Sequence, residues 1–115
     1  MSYTPKQGDI IWVDFNPQSG REQKGRRPAL VVWNNEMIKR IPGLCQVCAI
    51  SHTDNGFPLH VKLDSVSKNT DGFVFCEQHK VLDLNARNAE FKDKVSNEVL
   101  DKVINILIAS IEKIP

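Results

Sequence analysis

The sequence has no strong excess of either charge and no long apolar run, and these absences exclude several classes of protein. Fifteen Lys and Arg residues oppose fourteen Asp and Glu residues, which leaves a net charge of +1 over 115 residues. Such a chain is not expected to coat long nucleic acid through charge alone. No stretch approaches the length of a membrane span, and the first residues are not followed by an apolar leader segment. We therefore expect a cytoplasmic protein without membrane contact.

Cysteine is also scarce, with three residues, an odd number that suits a reducing compartment. Cys45 and Cys48 form a C-x-x-C pair, but their neighbours indicate a strand, on which positions three apart face opposite sides. There is no second such pair and no H-E-x-x-H, P-loop, dinucleotide-binding or G-x-S-x-G motif. The sequence thus predicts buried thiols, no metal site and no cofactor.

Short strands separated by turn signals are predicted for most of the chain. Segments rich in β-branched and aromatic residues alternate with Gly, Pro and Asn-Gly turns. We expect strands at residues 9–15, 29–33, 44–51, 59–63, 73–76, 77–84 and 89–92. No helix is expected between them, so the spacing favours a small barrel or sandwich in a single domain, residues 1–115.

The apolar period changes at Ser96, which is a good helix N-cap. Apolar residues then recur at steps of three and four, which places them on one face of a helix: Val99, Leu100, Val103, Ile104, Leu107, Ile111 and Ile114. Ile106 and Ile108 widen that face. Such a helix either packs against the core or buries part of a dimer interface.

Residues 20–28 form a basic segment between two apolar stretches. It holds four cations (Arg21, Lys24, Arg26 and Arg27) and the carboxylate of Glu22. A glycine-containing loop with this charge suits phosphate, although a plain surface turn can have the same composition. Ser51 and His52, at the end of another predicted strand, complete a set of acid, base and cations that could cleave RNA without metal. A base would take the 2′-hydroxyl proton, cations would stabilise the phosphorane, and an acid would protonate the 5′-oxygen.

The ordered motifs of this chain resemble those of the MazF/PemK toxins of bacterial toxin–antitoxin systems. The matching stretches are G-D-I-I-W-V-D-F-N-P at residues 8–17, G-R-E-Q-K-G-R-R-P at 20–28, A-I-S at 49–51, G-F-P-L-H-V at 56–61 and G-F-V-F-C-E-Q at 72–78. Each motif is weak by itself. Their order and their extent, from about residue 8 to the final helix, make the resemblance specific.

The resemblance implies an SH3-like β-barrel with a C-terminal helix and a homodimer that cuts single-stranded RNA, including mRNA, at short sequences. It further implies cleavage without metal, 2′,3′-cyclic phosphate and 5′-hydroxyl ends, and inhibition of translation and growth. A cognate antitoxin is expected, with an acidic disordered segment that competes with RNA for the basic groove. DNA is expected to be contacted only indirectly, through the antitoxin complex.

By the same resemblance, Arg27 is the catalytic arginine, Glu22 matches a glutamate proposed as general base, and Ser51 stands where the family usually has threonine. Because an arginine stays protonated, Arg27 is better suited to stabilising the phosphorane than to donating a proton. Glu22 could instead pair with a neighbouring arginine, and Ser51 could be a plain strand-end hydroxyl. The residues expected to hold and steer the RNA backbone are Arg21, Lys24, Arg26 and His52.

Two other classes remain open at this stage. The barrel also resembles that of the CcdB gyrase toxins, which bind a protein and cut nothing, but the E-Q-x-G-x-R-P segment and Ser51 count against that alternative. An SH3-like binding module would need an exposed aromatic groove. Most of the few aromatic residues lie in strand patterns, and Trp12 and Trp33 are expected in the core.

Overall fold

The computed structural model describes residues 3–15, 25–53 and 56–115, and within these ranges the chain forms six strands and two helices. The strands are β1 (Asp9–Asp14), β2 (Arg26–Val31), β3 (Leu44–Ser51), β4 (His60–Lys62), β5 (Phe73–Asp83) and β6 (Glu90–Lys94), and the helices are α1 (Asn35–Arg40) and α2 (Asn97–Ile111). The sheet is antiparallel, in the order β4-β5-β3-β2-β1-β6. The predicted mainly-β fold with a C-terminal helix is confirmed.

The two edges of this sheet approach each other. Ser65, after β4, forms a bridge with Val95, after β6. The Val66 N–H donates to the Lys94 carbonyl at 2.7 Å, and the Ser96 N–H donates to the Asp64 carbonyl at 2.8 Å. In the described part of the chain no ladder joins β4 to β6, so the sheet is strongly curled rather than closed, which is compatible with an SH3-like barrel.

Both faces of the sheet are covered, because successive strand residues point to opposite sides. Ile10, Leu30 and Cys48 belong to the apolar cluster that contains the first half of α2. Their neighbours Ile11 and Val31 belong to a second cluster, on the side of α1. The first strand, β1, is therefore buried on both of its faces.

The three cysteines are free and buried. Cys45 and Cys48 lie in different apolar clusters, as expected for positions three apart on a strand. Burial raises the pKa of the Cys45 thiol to about 12 and that of the Cys76 thiol to about 11. The prediction of buried thiols is confirmed, and at neutral pH these groups are protonated and poorly nucleophilic.

Helix α1 is absent from the sequence prediction, and the expectation that no helix lies between the strands is wrong. Asn34 caps it, with its side-chain oxygen accepting the Met37 N–H at 2.9 Å. Within the helix only Ile38 is buried. A six-residue helix with one core contact leaves no helical period in the sequence, and its signal was limited to the cap.

Strand β2 begins at Arg26, earlier than expected, so that Pro28 lies inside the strand opposite Trp12. The ladder with β3 starts only at Ala29, so Pro28 lies at the end of the β2–β3 pairing, where a missing N–H is tolerated. Arg26 and Arg27 are therefore strand residues. The strand expected at residues 73–76 and its extended continuation at 77–84 lie in one strand, β5, which shifts register against β3 between Cys48 and Ile50.

Helix α2 begins where the sequence predicts, with the Ser96 side chain accepting the Val99 N–H at 3.3 Å. Val99 and Val103 are buried against the sheet, whereas Ile108 and Ile111 near the helix end are 50% and 78% exposed. The first half of the helix thus completes the core, and the second half presents apolar surface. Among the residues that the structure describes, neither helix has the length and apolar character needed to cross a bilayer.

Candidate functional site

A groove of about 740 Å³ opens where β2 begins, beside the ends of β3 and β6. Its walls come from segments far apart in the sequence. The lining residues are Trp12, Gly25, Arg26, Arg27, Pro28, His52, Asn69, Thr70, Asp71 and Lys92. The structure therefore brings together three of the residues predicted for the site, Arg26, Arg27 and His52, and adds a cation, a carboxylate and an indole.

Arg26 and Arg27 are neighbours in β2 but have different surroundings. Arg26 is exposed, and its guanidinium contacts the Asp14 carboxylate at 3.2 Å as well as the Glu90 carboxylate. A hydrogen bond from Asn88 and the contact with Arg26 lower the pKa of Asp14. Arg27 is half-buried, and its backbone is fixed in the sheet opposite Val13. Two carboxylates thus offset the charge of Arg26 at the rim of the groove.

Ser51, the last residue of β3, is buried and does not line the groove. Its hydroxyl oxygen accepts the Thr53 N–H at 3.3 Å, which shapes the turn after the strand. The hydroxyl hydrogen is not used in that bond. His52, the next residue, is exposed and reaches the groove.

His52 contacts a carboxylate on the same wall of the groove. Its Nε2 lies 2.6 Å from Asp71 Oδ1. The hydrogen bond and the charge of His52 lower the pKa of Asp71, so this carboxyl is ionised at neutral pH. The pair results from sheet register, because Ser51 is paired with Phe73 across β3 and β5, and His52 and Asp71 flank that pair.

Gly72 allows this close approach. Its φ is +110°, and a Cβ at this position would lie 2.7 Å from the Ser51 carbonyl oxygen. Its own carbonyl accepts the Leu63 N–H at 2.9 Å. A larger residue would both strain the backbone and push the two segments apart, so glycine is what holds Asp71 beside His52.

Lys92 contacts the turn at Asn69 and Thr70 and also the indole of Trp12. Its Nζ donates to the Asn69 carbonyl and to Thr70 Oγ1, both at 2.6 Å, and to Asn69 Oδ1 at 3.3 Å. The same ammonium lies 5.3 Å from the centroid of the Trp12 ring, within the range of a cation–π contact. Lys92 therefore links the segment of Asn69 and Thr70 to Trp12 on the other side of the groove.

The segment before Asp71 is anchored by Asp93, which is 2% exposed. Its carboxylate accepts the backbone N–H groups of Lys94 at 2.7 Å, Ser67 at 3.1 Å and Asn69 at 3.4 Å. Burial by itself raises the pKa of Asp93, but these bonds and one from the Ser65 side chain outweigh it and lower the pKa to about 2. Asp93 is therefore ionised at neutral pH, and its carboxylate anchors the backbone segment that leads to Asp71.

Sequence reasoning missed five residues of the groove, namely Trp12, Asn69, Thr70, Asp71 and Lys92. The expectation that Trp12 is a core residue is wrong, since it is half-buried at the groove wall near the end of β1. The Asp-Gly dipeptide that contains Asp71 indicates a turn but gives no information on the partner of the carboxylate. Lys92 belongs to a strand with several charges, and no local signal distinguishes it from them.

Arg21, Glu22 and Lys24 lie outside the described residues, so their predicted roles receive no structural account. Within the described ranges, no group of three or more His, Cys, Asp or Glu side chains is arranged to hold a metal ion. The charged and protonatable side chains that line the groove are three cations, one imidazole and one carboxylate.

Comparison with known proteins places the whole chain in one family. The family profile described as "PemK-like, MazF-like toxin of type II toxin-antitoxin system" matches residues 6–111. The endoribonuclease toxin MazF of Escherichia coli (strain K12) is 37% identical over 109 residues, which is 92% of this chain and 96% of that protein.

Solved structures agree with the sequence match. The crystal structure of MazF (Form-I) from Deinococcus radiodurans superposes with a TM-score of 0.87 at 32% identity, covering 97% of this chain and 100% of that one. MazE–MazF (Form-II) from the same organism superposes with a TM-score of 0.79 at 33% identity, covering 95% and 96%.

Proposed function

The chain belongs to the family of PemK-like, MazF-like toxins of type II toxin–antitoxin systems, and we propose that it cuts single-stranded RNA at short sequences without a metal ion. It is an endoribonuclease, like the relatives to which it is similar. The products are a 2′,3′-cyclic phosphate and a 5′-hydroxyl. Cutting mRNA in this way stops translation and growth. Residues 1–115 act as one toxin domain.

The observation that carries this proposal is the groove itself. Arg27, His52 and Lys92 come from β2, the end of β3 and β6, and they line one open cleft. Three cationic or protonatable groups around one cleft suit a phosphodiester, whose charge increases in the phosphorane. An RNA substrate carries its own nucleophile, the 2′-hydroxyl, so no covalent enzyme intermediate is needed.

The residues have separate roles in this proposal. Arg27 stabilises the phosphorane oxygens, because a guanidinium offers several fixed donors and keeps its charge. Glu22 takes the proton of the 2′-hydroxyl. Ser51, for which the sequence predicts a hydrogen bond to a phosphate oxygen, is buried outside the groove, and in this proposal it supports the turn that carries His52. The residues that hold the RNA backbone are Arg21, Lys24, Arg26 and His52.

A cognate antitoxin is the expected protein partner, as in the MazE–MazF structure. An acidic, disordered antitoxin segment would lie along the cationic groove and compete with RNA there. We also infer a homodimer, supported by the apolar surface at the end of α2 and just after it, where Ile108, Ile111 and Ile114 are 50%, 78% and 85% exposed. DNA is contacted only indirectly, through the antitoxin complex.

The direct test incubates purified protein with a long RNA in EDTA and maps both ends of each fragment. Discrete cuts with 5′-hydroxyl and cyclic phosphate ends are expected. Cleavage that requires a divalent ion would overturn the metal-free mechanism. An RNA that stays intact under all conditions would favour a toxin that binds its target without cutting it.

The role of Arg27 is tested by substitution. Arg27→Ala should reduce cleavage by about 10²–10³-fold, because it removes donors aimed at the developing charge. Arg27→Lys should restore only part of the activity, since an ammonium keeps the charge but not the fork of donors. Arg40→Ala, an exposed arginine in the last turn of α1, is the matched control and should cleave normally. Activity retained in Arg27→Ala would remove Arg27 from the site.

A further inference from the structure

We propose that His52, held by Asp71, is the general acid that protonates the departing 5′-oxygen of the RNA. This inference rests on the proposed function and assigns a step that the proposal above leaves without a donor. It gives His52 a chemical role in addition to contact with the RNA backbone.

The groove contains few groups that can deliver a proton at neutral pH. Arginine stays protonated, which suits Arg27 to charge stabilisation and not to proton donation. Lys92 directs its ammonium hydrogens at Asn69 and Thr70. Asp71 is ionised, since the contact with His52 lowers its pKa. Of the described residues that line the groove, His52 carries the imidazole, the side chain that most often serves as a general acid in enzymes.

The geometry of the pair suits this role. Because Asp71 accepts at 2.6 Å from Nε2, that nitrogen carries hydrogen, and Nδ1 is left for a second partner. A carboxylate on one nitrogen of an imidazole orients the ring and stabilises the cation that holds the transferable proton, as in catalytic triads. The charged groups that line the cleft with this ring include Asp71, Arg27 from β2 and Lys92 from β6, with Arg26 at the rim.

Backbone contacts beside His52 and beside Asp71 hold the two side chains together. His52 directly follows Ser51, and Asp71 directly precedes Gly72, whose missing Cβ allows contact with the Ser51 carbonyl. The Asp71 side is further tied down through the preceding segment, by Lys92 and by the buried Asp93. Yet the His52 and Asp71 side chains are 79% and 90% exposed, so their contact adds little to stability. The backbone on each side of the pair is fixed, while the His52 and Asp71 side chains stay exposed at the groove, where a bound substrate can reach them.

In the proposed step, one bond to phosphorus forms as another breaks. The 2′-oxygen forms a bond to phosphorus while the bond from phosphorus to the 5′-oxygen breaks. The 2′-hydroxyl proton passes to the general base, and the imidazolium of His52 passes its proton to the 5′-oxygen. The products are the cyclic phosphate, the 5′-hydroxyl and a neutral imidazole, which regains a proton from water.

The experiment compares two leaving groups. Once the cleaved bond is mapped, a short RNA is synthesised with that 5′-oxygen and, separately, with sulfur in its place. A thiolate leaves without protonation, so it does not need the acid. His52→Gln should slow the oxygen substrate by about 10²–10⁴-fold, the usual contribution of general acid catalysis, and the sulfur substrate by less than about 10-fold.

The pH profile gives a second readout. With the oxygen substrate, wild-type kcat/KM should have an alkaline limb that is absent in His52→Gln, because a general acid acts only in its protonated form. Asp71→Asn, which removes a positioning residue, should cost less than His52→Gln on oxygen and should also be rescued by sulfur. The double variant should be no slower than His52→Gln, because the two side chains act as one unit.

Three outcomes would overturn the inference. Equal losses of His52→Gln on the two substrates would make His52 a binding residue only. Normal cleavage of the oxygen substrate by His52→Gln would remove it from the reaction while leaving the proposed function intact. Failure of the wild-type protein to cut any RNA would overturn the proposed function and this step with it. His79→Gln, a histidine outside the groove that contacts Gln46, controls for histidine loss, and the urea midpoint of each variant controls for folding.

Discussion

The part of the chain that the structure describes contains two histidine–carboxylate pairs, one exposed and one largely buried. His52 and Asp71 lie 2.6 Å apart at the groove, with side chains 79% and 90% exposed. His60 and Glu77 lie 3.0 Å apart, and the His60 side chain is only 5% exposed. The His60 ring is stacked parallel to Phe75 at 3.8 Å and meets the edge of Phe57 at 5.3 Å.

Under the proposed mechanism, burial rather than residue type separates the pair that reacts from the pair that stabilises the fold. The imidazole of His60 acts as part of the apolar packing, so its removal leaves a cavity. The imidazole of His52 contacts little besides a carboxylate and solvent, so its removal leaves the fold unchanged and the groove without its proton donor. Function and stability are thus expected to depend on different histidines.

The largest expected difference in stability comes from removing each ring. His60→Ala should lower the free energy of unfolding by roughly 2–4 kcal/mol, because a buried aromatic ring is lost from a packed stack. His52→Ala should change it by less than about 0.5 kcal/mol, as for other exposed side chains. Urea denaturation of both variants measures the contrast. Similar losses in the two variants would contradict the division of roles.

A smaller effect is expected from the glycine that brings the exposed pair together. Gly72→Ala should destabilise the protein by about 1–3 kcal/mol through backbone strain, with a further loss from the clash with the Ser51 carbonyl. Gly43→Ala is the matched control, since Gly43 also has a positive φ of +89°, but a Cβ there would meet no atom of the described residues within 4 Å. The difference between the two variants, measured by urea denaturation, isolates the clash. RNA cleavage by Gly72→Ala should also fall, because Asp71 moves away from His52.

The third expected effect is a pH dependence of the segment that supports Asp71. The folded-state pKa of Asp93 is about 2, below its ordinary value of 3.8, so its stabilisation is complete above about pH 4 and is lost as the pH falls through 2. Asp93→Asn should be less stable than the wild type at neutral pH, and the difference should shrink in this acidic window. Urea midpoints between pH 2 and pH 7 would test this, with the exposed Asp64→Asn as control. A constant difference across that range would show that the charge of Asp93 is not what anchors the segment.

Much of the fold could be predicted from the sequence because its signals are local. The strand at residues 44–51 and the start of α2 after Ser96 follow from alternation, helical period and a cap, and the structure has both at those positions. The separation of Cys45 from Cys48 followed from the two-residue period of a strand. Helix α1 was missed because only Ile38 ties it to the core.

The groove was predictable only in part. Arg26, Arg27 and His52 could be singled out from charge, position and family resemblance, and all three line it. Asp71, Lys92 and Trp12 could not, since each has an ordinary local explanation as a turn, strand or core residue. Their common location depends on contacts between residues that are distant in the sequence, such as His52 with Asp71 and Trp12 with Lys92.

The amino-acid sequence by itself determined most of the strands, the start of α2, most of the buried positions and the family, because periodicity, caps and ordered motifs are properties of neighbouring residues. The tertiary structure decided which side chains meet. The pairing of Ser51 with Phe73 places His52 beside Asp71, and the curl of the sheet brings Lys92 to Asn69 and Thr70. Such contacts depend on strand register, and register is set by the packing of the whole core rather than by any segment alone.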